Sequence, residues 1–296
     1  MSDYLLCVAG SDIDYFYHTE KFLGAGDACL CRKDAVRVGG CVLNVAVAAA
    51  NKGLKTYALD YLSSSDEASQ LIVDTLQSLQ VDTSAMHFAK EAVNGSCLIF
   101  QNQGERCIYV IDPVHPVYKE DVYPLIRDAR CIYTLPRLLK LSFSDLELFA
   151  DKTVYFDGSS QYKSPEEKAI LYRYASGVFI NTQSYACLKA VSDQEPLAIL
   201  FANKCRFVVI TDGERGCDLY TSDQHLHQET FAVNVVDSTG AGDSFAGTFI
   251  ACLEQGYDYS TCLKMAAAAG AMACQLAGGM CSTFDLPAIR DFISNN

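Results

Sequence analysis

The stretch Val235–Phe249, VVDSTGAGDSFAGTF, carries the residue types and spacing best suited to chemistry. A strand-like run delivers the chain to a glycine turn. Gly240 and Gly242 let the backbone bend tightly and approach a ligand without a Cβ in the way. A helix then starts at about Asp243. Its free N–H groups and dipole face the turn and make a hole for an anion such as a phosphoryl group. Asp243 stands at that hole although it is itself an anion. This makes sense if the carboxylate takes a proton from a hydroxyl that attacks phosphorus. The plainer reading is a helix start at which Asp243 only caps the dipole.

Competing motifs fail on spacing. A dinucleotide fingerprint needs a third glycine three residues after Gly242, and Phe245 stands there. The run GDSFAGT has phosphate-loop spacing but no lysine at Ala246-Gly247-Thr248. Gly24-Ala25-Gly26-Asp27 repeats the same four letters without a buried strand before it or a long helix after it, and reads as a turn.

Elements that could position the site alternate along the chain. Buried strands are expected at Tyr4–Ala9, Cys131–Thr134, Thr153–Asp157, Val178–Asn181 and Phe207–Thr211. A small-residue helix over Val42–Lys52 stops at Gly53, and further helical patterns cover Asp66–Leu79, Pro165–Tyr174, Gln194–Asn203, Ser244–Leu253 and Ser260–Leu276. Ser96–Phe100 and Cys107–Ile111 flank Asn102-Gln103-Gly104-Glu105, a hairpin signal. Thr230–Val236 reads as a late strand. The rhythm predicts an α/β fold with a mostly parallel sheet covered by helices on both faces. Ligands then sit at the carboxyl ends of the strands. The segments near 12–38 and 94–112 read as a small β-sheet lid on a single domain spanning 1–296.

Composition narrows the function. The 296 residues are 50% apolar, enough for a large core and too many for a disordered chain. A formal net charge of −13 argues against nucleic acid and anionic membrane surfaces as partners. The 14 cysteines lack metal-ligand spacing, Cys29 and Cys31 being only two apart. No apolar run of about 18 residues suggests a membrane span, and the start Met1-Ser2-Asp3 is not a basic leader. A cytoplasmic protein with reduced, buried thiols is expected.

Asp237–Gly247 resembles the C-terminal signature of the ribokinase-like (phosphofructokinase-B type) carbohydrate kinases. Val38-Gly39-Gly40-Cys41-Val42-Leu43-Asn44-Val45-Ala46 is similar to the family's N-terminal Gly-Gly…Asn segment, and Val209–Gly216 (VITDGERG) to its strand and glycine loop beside the nucleotide. All three occur in the family's order over nearly the whole chain. The resemblance implies a three-layer α/β/α sandwich with a β lid, and transfer of the γ-phosphoryl of ATP, with Mg2+, to a substrate hydroxyl. It implies Asp243 as general base and the N–H groups of Ala241, Gly242 and Asp243, beyond Gly240, as the anion hole. Gly39, Gly40 and Asn44 would line the sugar, with Asp14 or, behind it, Asp12 gripping hydroxyls. Asn181, Thr211, Gly213 and Gly216 would face ATP.

Many members hold potassium; the matching oxygens here are Asp237, Thr239, Gly278 and Ser282, with the backbone of Ala273 and Leu276, although Asp237 alone reads as a turn former. One departure stands out: Ser184 occupies the position of a glutamate that follows the mid-chain Asn181 in the family and organises magnesium. Three functions stay open. The first is a kinase of a small sugar or sugar derivative. The second is a nucleoside kinase, with Tyr15, Phe16, Tyr17 and Phe100 as base-stacking candidates. The third is a catalytically silent binder. Arg106 and Arg137 appear isolated, which weighs against a phosphosugar. A homodimer through the lid is expected from family habit.

Overall fold

The computed structural model describes residues 3–8, 10–103, 105–114, 116–158 and 164–296. Its first part runs β1 (Leu5–Val8), β2 (Asp12–Thr19), β3 (Cys31–Gly39), α1 (Cys41–Ala50), β4 (Thr56–Leu59), β5 (Tyr61–Ser63), α2 (Ala68–Ser78), β6 (His87–Ala89), β7 (Gly95–Asn102) and β8 (Glu105–Ile111). The middle runs α3 (Tyr123–Asp128), β9 (Cys131–Thr134), α4 (Pro136–Ser142), β10 (Val154–Asp157), α5 (Pro165–Tyr174), β11 (Gly177–Asn181), α6 (Thr182–Ala190) and α7 (Pro196–Ala202). The last part holds β12 (Phe207–Thr211), β13 (Cys217–Tyr220), β14 (His225–Gln228), α8 (Ala241–Glu254), α9 (Tyr259–Ala273) and α10 (Leu286–Ser294).

Eight strands form the central sheet in the order β14-β13-β12-β11-β10-β9-β1-β4. From β4 to β12 all neighbours are parallel, and only β13 and β14 are antiparallel. The parallel strands are buried along their length, LLCV of β1 and VYFD of β10 included. That is the pattern of a sheet covered on both faces. Helices α1, α8 and α9 pack together in one layer, and α4, α5 and α7 in the other. A second sheet, β3-β2-β7-β8, stands apart from the body. It is mixed, since β2 runs parallel to β7 and antiparallel to β3.

Several expected elements move. Thr230–Val236 is not a strand. Its backbone is used elsewhere: the N–H groups of Val236 and Asp237 bond Cys274 O at the end of α9 (2.8 and 3.1 Å), and Phe231 packs on Phe292 of α10. The strand at that point is the earlier β14, an amphipathic HLHQ on the sheet edge. Helix α8 begins at Ala241, before the expected Ser244, because Gly240 in the left-handed region (φ 76°) ends the turn early. Helix α9 stops at Ala273, where Cys274 and a run of turns replace the last expected residues. Gly24–Asp27 is a turn, with Asp27 N bonded to Gly24 O. In the expected hairpin signal Gly104 lies outside the described residues, while Gln103 takes φ 47° between β7 and β8.

Candidate active site

Close helix contact positions the central pair. Gly247 of α8 lies against α1: a Cβ there would stand 2.6 Å from Ala48 Cβ and 2.7 Å from Val45 O. One turn earlier on each helix stand Asp243 and Asn44. Asn44 Nδ2 donates to Asp243 Oδ2 at 2.7 Å, joining residues 199 apart. Asn44 is buried, and its own Oδ1 has no hydrogen-bond partner among the described residues. Burial raises the Asp243 carboxyl to about 7 and the charge of Asp157 adds to the rise, while the Asn44 hydrogen bond opposes both.

Gly240 makes a left-handed turn before α8, whereas Gly242 already lies within the helix and its backbone needs no glycine. A Cβ on Gly240 would meet Gly279 O at 2.3 Å, so only glycine fits. Gly242 is exposed, with open space where a side chain would be. Ala241 N turns back to Ser238 O at 3.3 Å, and Ser244 N is the first to bond Gly240 O (2.8 Å). The N–H groups of Gly242 and Asp243 have no backbone acceptor among the described residues. They form the free end of the helix dipole.

The β1–β2 turn meets the start of α1, because a Cβ on Gly40 would lie 1.9 Å from Gly10 O. Beyond it, Asp12 and Asp14 share one face of β2. Both are enclosed by backbone: Asp14 lies against Gly39, and Asp12 Oδ1 would be 2.1 Å from a Cβ on Gly95. Burial, then the charges of Asp14 and Asp60, raise Asp12 to about 7, against the pull of Arg137. Asp14 is raised by burial and steadied by Cys97 and Arg37. The Cys41 thiol, pushed well up by burial, feels Asp157, Asp243 and Asp12 together. One pocket of negative charge therefore joins both ends of the sequence.

Asn181 and Thr211 are partners in register at the carboxyl ends of β11 and β12. Gly213 (φ 56°) and Gly216 (φ 84°) shape the following turn, with Gly216 pressed to Gln228 O. Asn181 Oδ1 accepts from Ser184 N at 2.8 Å and so caps α6. Ser184, in the glutamate position, is buried.

Sequence reading did not single out Asp157, a buried acid ending central strand β10. Its signal was a carboxylate closing an apolar strand. Nor are the lid arginines isolated. Arg106 Nη1 donates to Thr239 Oγ1 at 2.5 Å, and Arg37 Nη1 lies 3.1 Å from where a Cβ on Gly278 would be. Arg106 bridges from the lid to the turn before α8, and Arg37 from the lid to the turn after α9. Arg137 pairs with Asp112. Of the aromatic candidates, Tyr17 and Phe100 stack on each other (5.4 Å), and Phe16 lies under Arg37 (4.9 Å).

Several of the expected potassium ligands are engaged in hydrogen bonds of their own. Asp237 Oδ1 accepts from Thr239 N (2.9 Å) and Thr239 Oγ1 (2.6 Å), and Oδ2 from Gly278 N (3.0 Å), which makes it a turn brace. The carbonyl of Ala273 accepts from Leu276 N at 3.0 Å. Both oxygens of Ser282 are bonded by Lys52 Nζ. Among the described residues no cluster of three or more His, Cys, Asp or Glu could cage a metal. All 14 cysteines are free, six of them buried, while Cys31 and Cys187 are exposed. No helix among the described residues is long and apolar enough to cross a membrane.

The chain is an α/β sandwich with a small sheet tied by Arg106 to the turn before a helix start. Residues 3–284 match the pfkB family of carbohydrate kinases, and the chain belongs to that family. It is 27% identical over 235 residues to a protein named probable fructokinase-2 from Arabidopsis thaliana, covering 72% of this chain and 71% of that one. It is 25% identical over 287 residues to a 5-dehydro-2-deoxygluconokinase of Clostridium beijerinckii, covering 86% and 84%. Its fold matches an Arabidopsis thaliana ribokinase solved with ribose and ATP, at a TM-score of 0.83, 19% identity and 99% coverage of both chains. The protein is a sugar kinase.

Proposed function

We propose that this kinase moves the γ-phosphoryl of ATP to a hydroxyl of a small sugar or sugar derivative, with Asp243 as general base. The Asn44–Asp243 pair carries this reading. Asp243 is basic enough to take a proton near neutrality. The unpartnered Asn44 Oδ1 is placed to accept from a substrate hydroxyl beside it. The open N–H groups of Gly242 and Asp243 face the migrating phosphoryl, whose transfer depends chiefly on alignment and charge.

Asp12 and Asp14 grip further hydroxyls, and Gly39 and Gly40 admit the sugar close to backbone. Asn181, Thr211, Gly213 and Gly216 shape the nucleotide side. Magnesium fits as an ion carried on the nucleotide phosphates through water, since Mg2+ keeps much of its hydration shell. With Ser184 in the glutamate position, Asp157 is the acid placed to orient that water. The sugar reading is favoured over a nucleoside because the lid aromatics are engaged with one another and with Arg37. The exposed apolar edge strand, with Tyr109 and Val110 outward, supports a second copy of the chain as the lid's partner.

The test is ADP release from ATP and Mg2+ with a panel of pentoses, hexoses, keto-sugar acids and nucleosides. Turnover confined to sugars or their acids is expected. Turnover confined to nucleosides, or ligand-induced stabilisation without ADP, contradicts it.

A further inference from the structure

The lid sheet sets three residues side by side. Arg37 of β3, Asp14 of β2 and Cys97 of β7 are in register across the strands. The row two residues nearer α1 is Gly39, Asp12 and Gly95. Glycine in that row leaves room, since a Cβ on Gly39 would stand 2.4 Å from Asp14 Oδ2. The Asp14 carboxylate therefore leans along the sheet toward Gly39, just before the start of α1. A half-buried carboxylate on rotatable bonds needs partners to keep one such orientation. Two groups favour its ionised form, the Cys97 thiol by hydrogen bonding and the Arg37 guanidinium by charge. Arg37 is shared: it lies over the Phe16 ring at 4.9 Å, and its Nη1 reaches to 3.1 Å from where a Cβ on Gly278 would be. Cys97 bonds the acid directly. Burial and the charges of Asp12 and Asp14 push its thiol up to about 12, so it keeps its proton near neutrality and serves as a donor. An ionised carboxylate has acceptor sites to spare beyond one thiol, and these stay open to substrate hydroxyls.

We propose that Cys97 is a positioning residue for the sugar: its S–H holds the Asp14 carboxylate in the lean toward Gly39, where it accepts from a substrate hydroxyl. The effect on turnover rests on Asp14 being a sugar ligand, as in the proposed function.

The full-length protein is compared with Cys97→Ala, Cys97→Ser, Asp14→Asn and the double variant Asp14→Asn with Cys97→Ala, by ADP release over a range of the best sugar. Cys97→Ala removes the donor and should raise the sugar KM about fivefold, the scale of one neutral hydrogen bond. Its kcat and its KM for ATP should stay near native, because binding alone is lost. Cys97→Ser keeps a donor and should return the sugar KM to within about twofold of native. Asp14→Asn should itself raise the sugar KM, and adding Cys97→Ala to it should cost nothing more, since the thiol acts through the carboxylate. A cysteine that only fills space would add the same cost in either background. Cys97→Ala with native sugar KM overturns the proposal while leaving the kinase reading in place, as does an equal loss in both backgrounds. Native sugar KM in Asp14→Asn shows that Asp14 does not touch the sugar, and the proposal falls with it. Should Cys97→Ala not fold, Cys97→Val fills the site without a donor and takes its place. If no sugar yields ADP, the kinase reading fails, and a carbon-13 NMR titration of the Asp14 carboxyl decides. Cys97→Ala should move that titration to higher pH and Cys97→Ser should move it back, with Arg37 and Asp12 unchanged beside it. A titration that does not move overturns the proposal.

Discussion

Asn44 and Asp243 meet at 2.7 Å because Gly247 lets α1 and α8 touch one turn further along. The amide favours the ionised carboxylate and opposes its desolvation. Asn44→Ala should therefore raise the Asp243 pKa and move the acid limb of the kcat profile to higher pH. The loss of turnover should be larger below neutrality than above it. A variant profile that overlays the native one would contradict the coupling.

Gly247→Ala puts a methyl 2.6 Å from Ala48 Cβ and 2.7 Å from Val45 O, so a helix must shift. Overpacking of this kind costs about 1–3 kcal/mol. Denaturant unfolding should show that loss, and kcat should fall with it because the Asn44–Asp243 bond lengthens. A drop in stability with kcat intact would separate the packing from the site.

Asp243 is raised from 3.8 to about 7 in the folded chain. Between those values the folded state holds more protons than the unfolded one. Its contribution to stability therefore declines as pH rises through that window and levels off above about 7. Asp12, raised to the same value, acts in the same direction. Asp243→Asn should accordingly raise the unfolding midpoint at mildly alkaline pH and gain little at pH 4. Thermal scans across that range check it; a variant less stable at high pH would reverse the sign.

Arg106 ties the lid to Thr239, yet it is an exposed contact of small energetic weight. Arg106→Ala should leave the unfolding midpoint within about 0.5 kcal/mol of native while raising the sugar KM severalfold, since closure over the substrate weakens. Unchanged KM would show that this bridge does not hold the lid.

Much of this was legible in the residues. The apolar runs that became β1, β9, β10, β11 and β12 are buried on both faces, so their pattern is continuous and hard to mistake. The glycine turn announced the start of α8 because positive φ leaves a compositional mark. The edge hairpin β13–β14 escaped notice because HLHQ mixes polar and apolar residues on an exposed strand. Asp157 carried no motif, only a place at the end of a strand. The partners of Lys52 and Arg106 were invisible for a different reason: they lie 230 and 133 positions away, and only the packed helices and folded lid bring them together.

The most direct test of the account is turnover by Asp243→Asn beside the native protein, with ATP, Mg2+ and the preferred sugar. The exchange keeps size and shape and removes the base, so kcat should fall by about 10²–10⁴ while ATP binding, read by calorimetry, stays near native. Turnover close to native in that variant would show that the carboxylate does not take the proton.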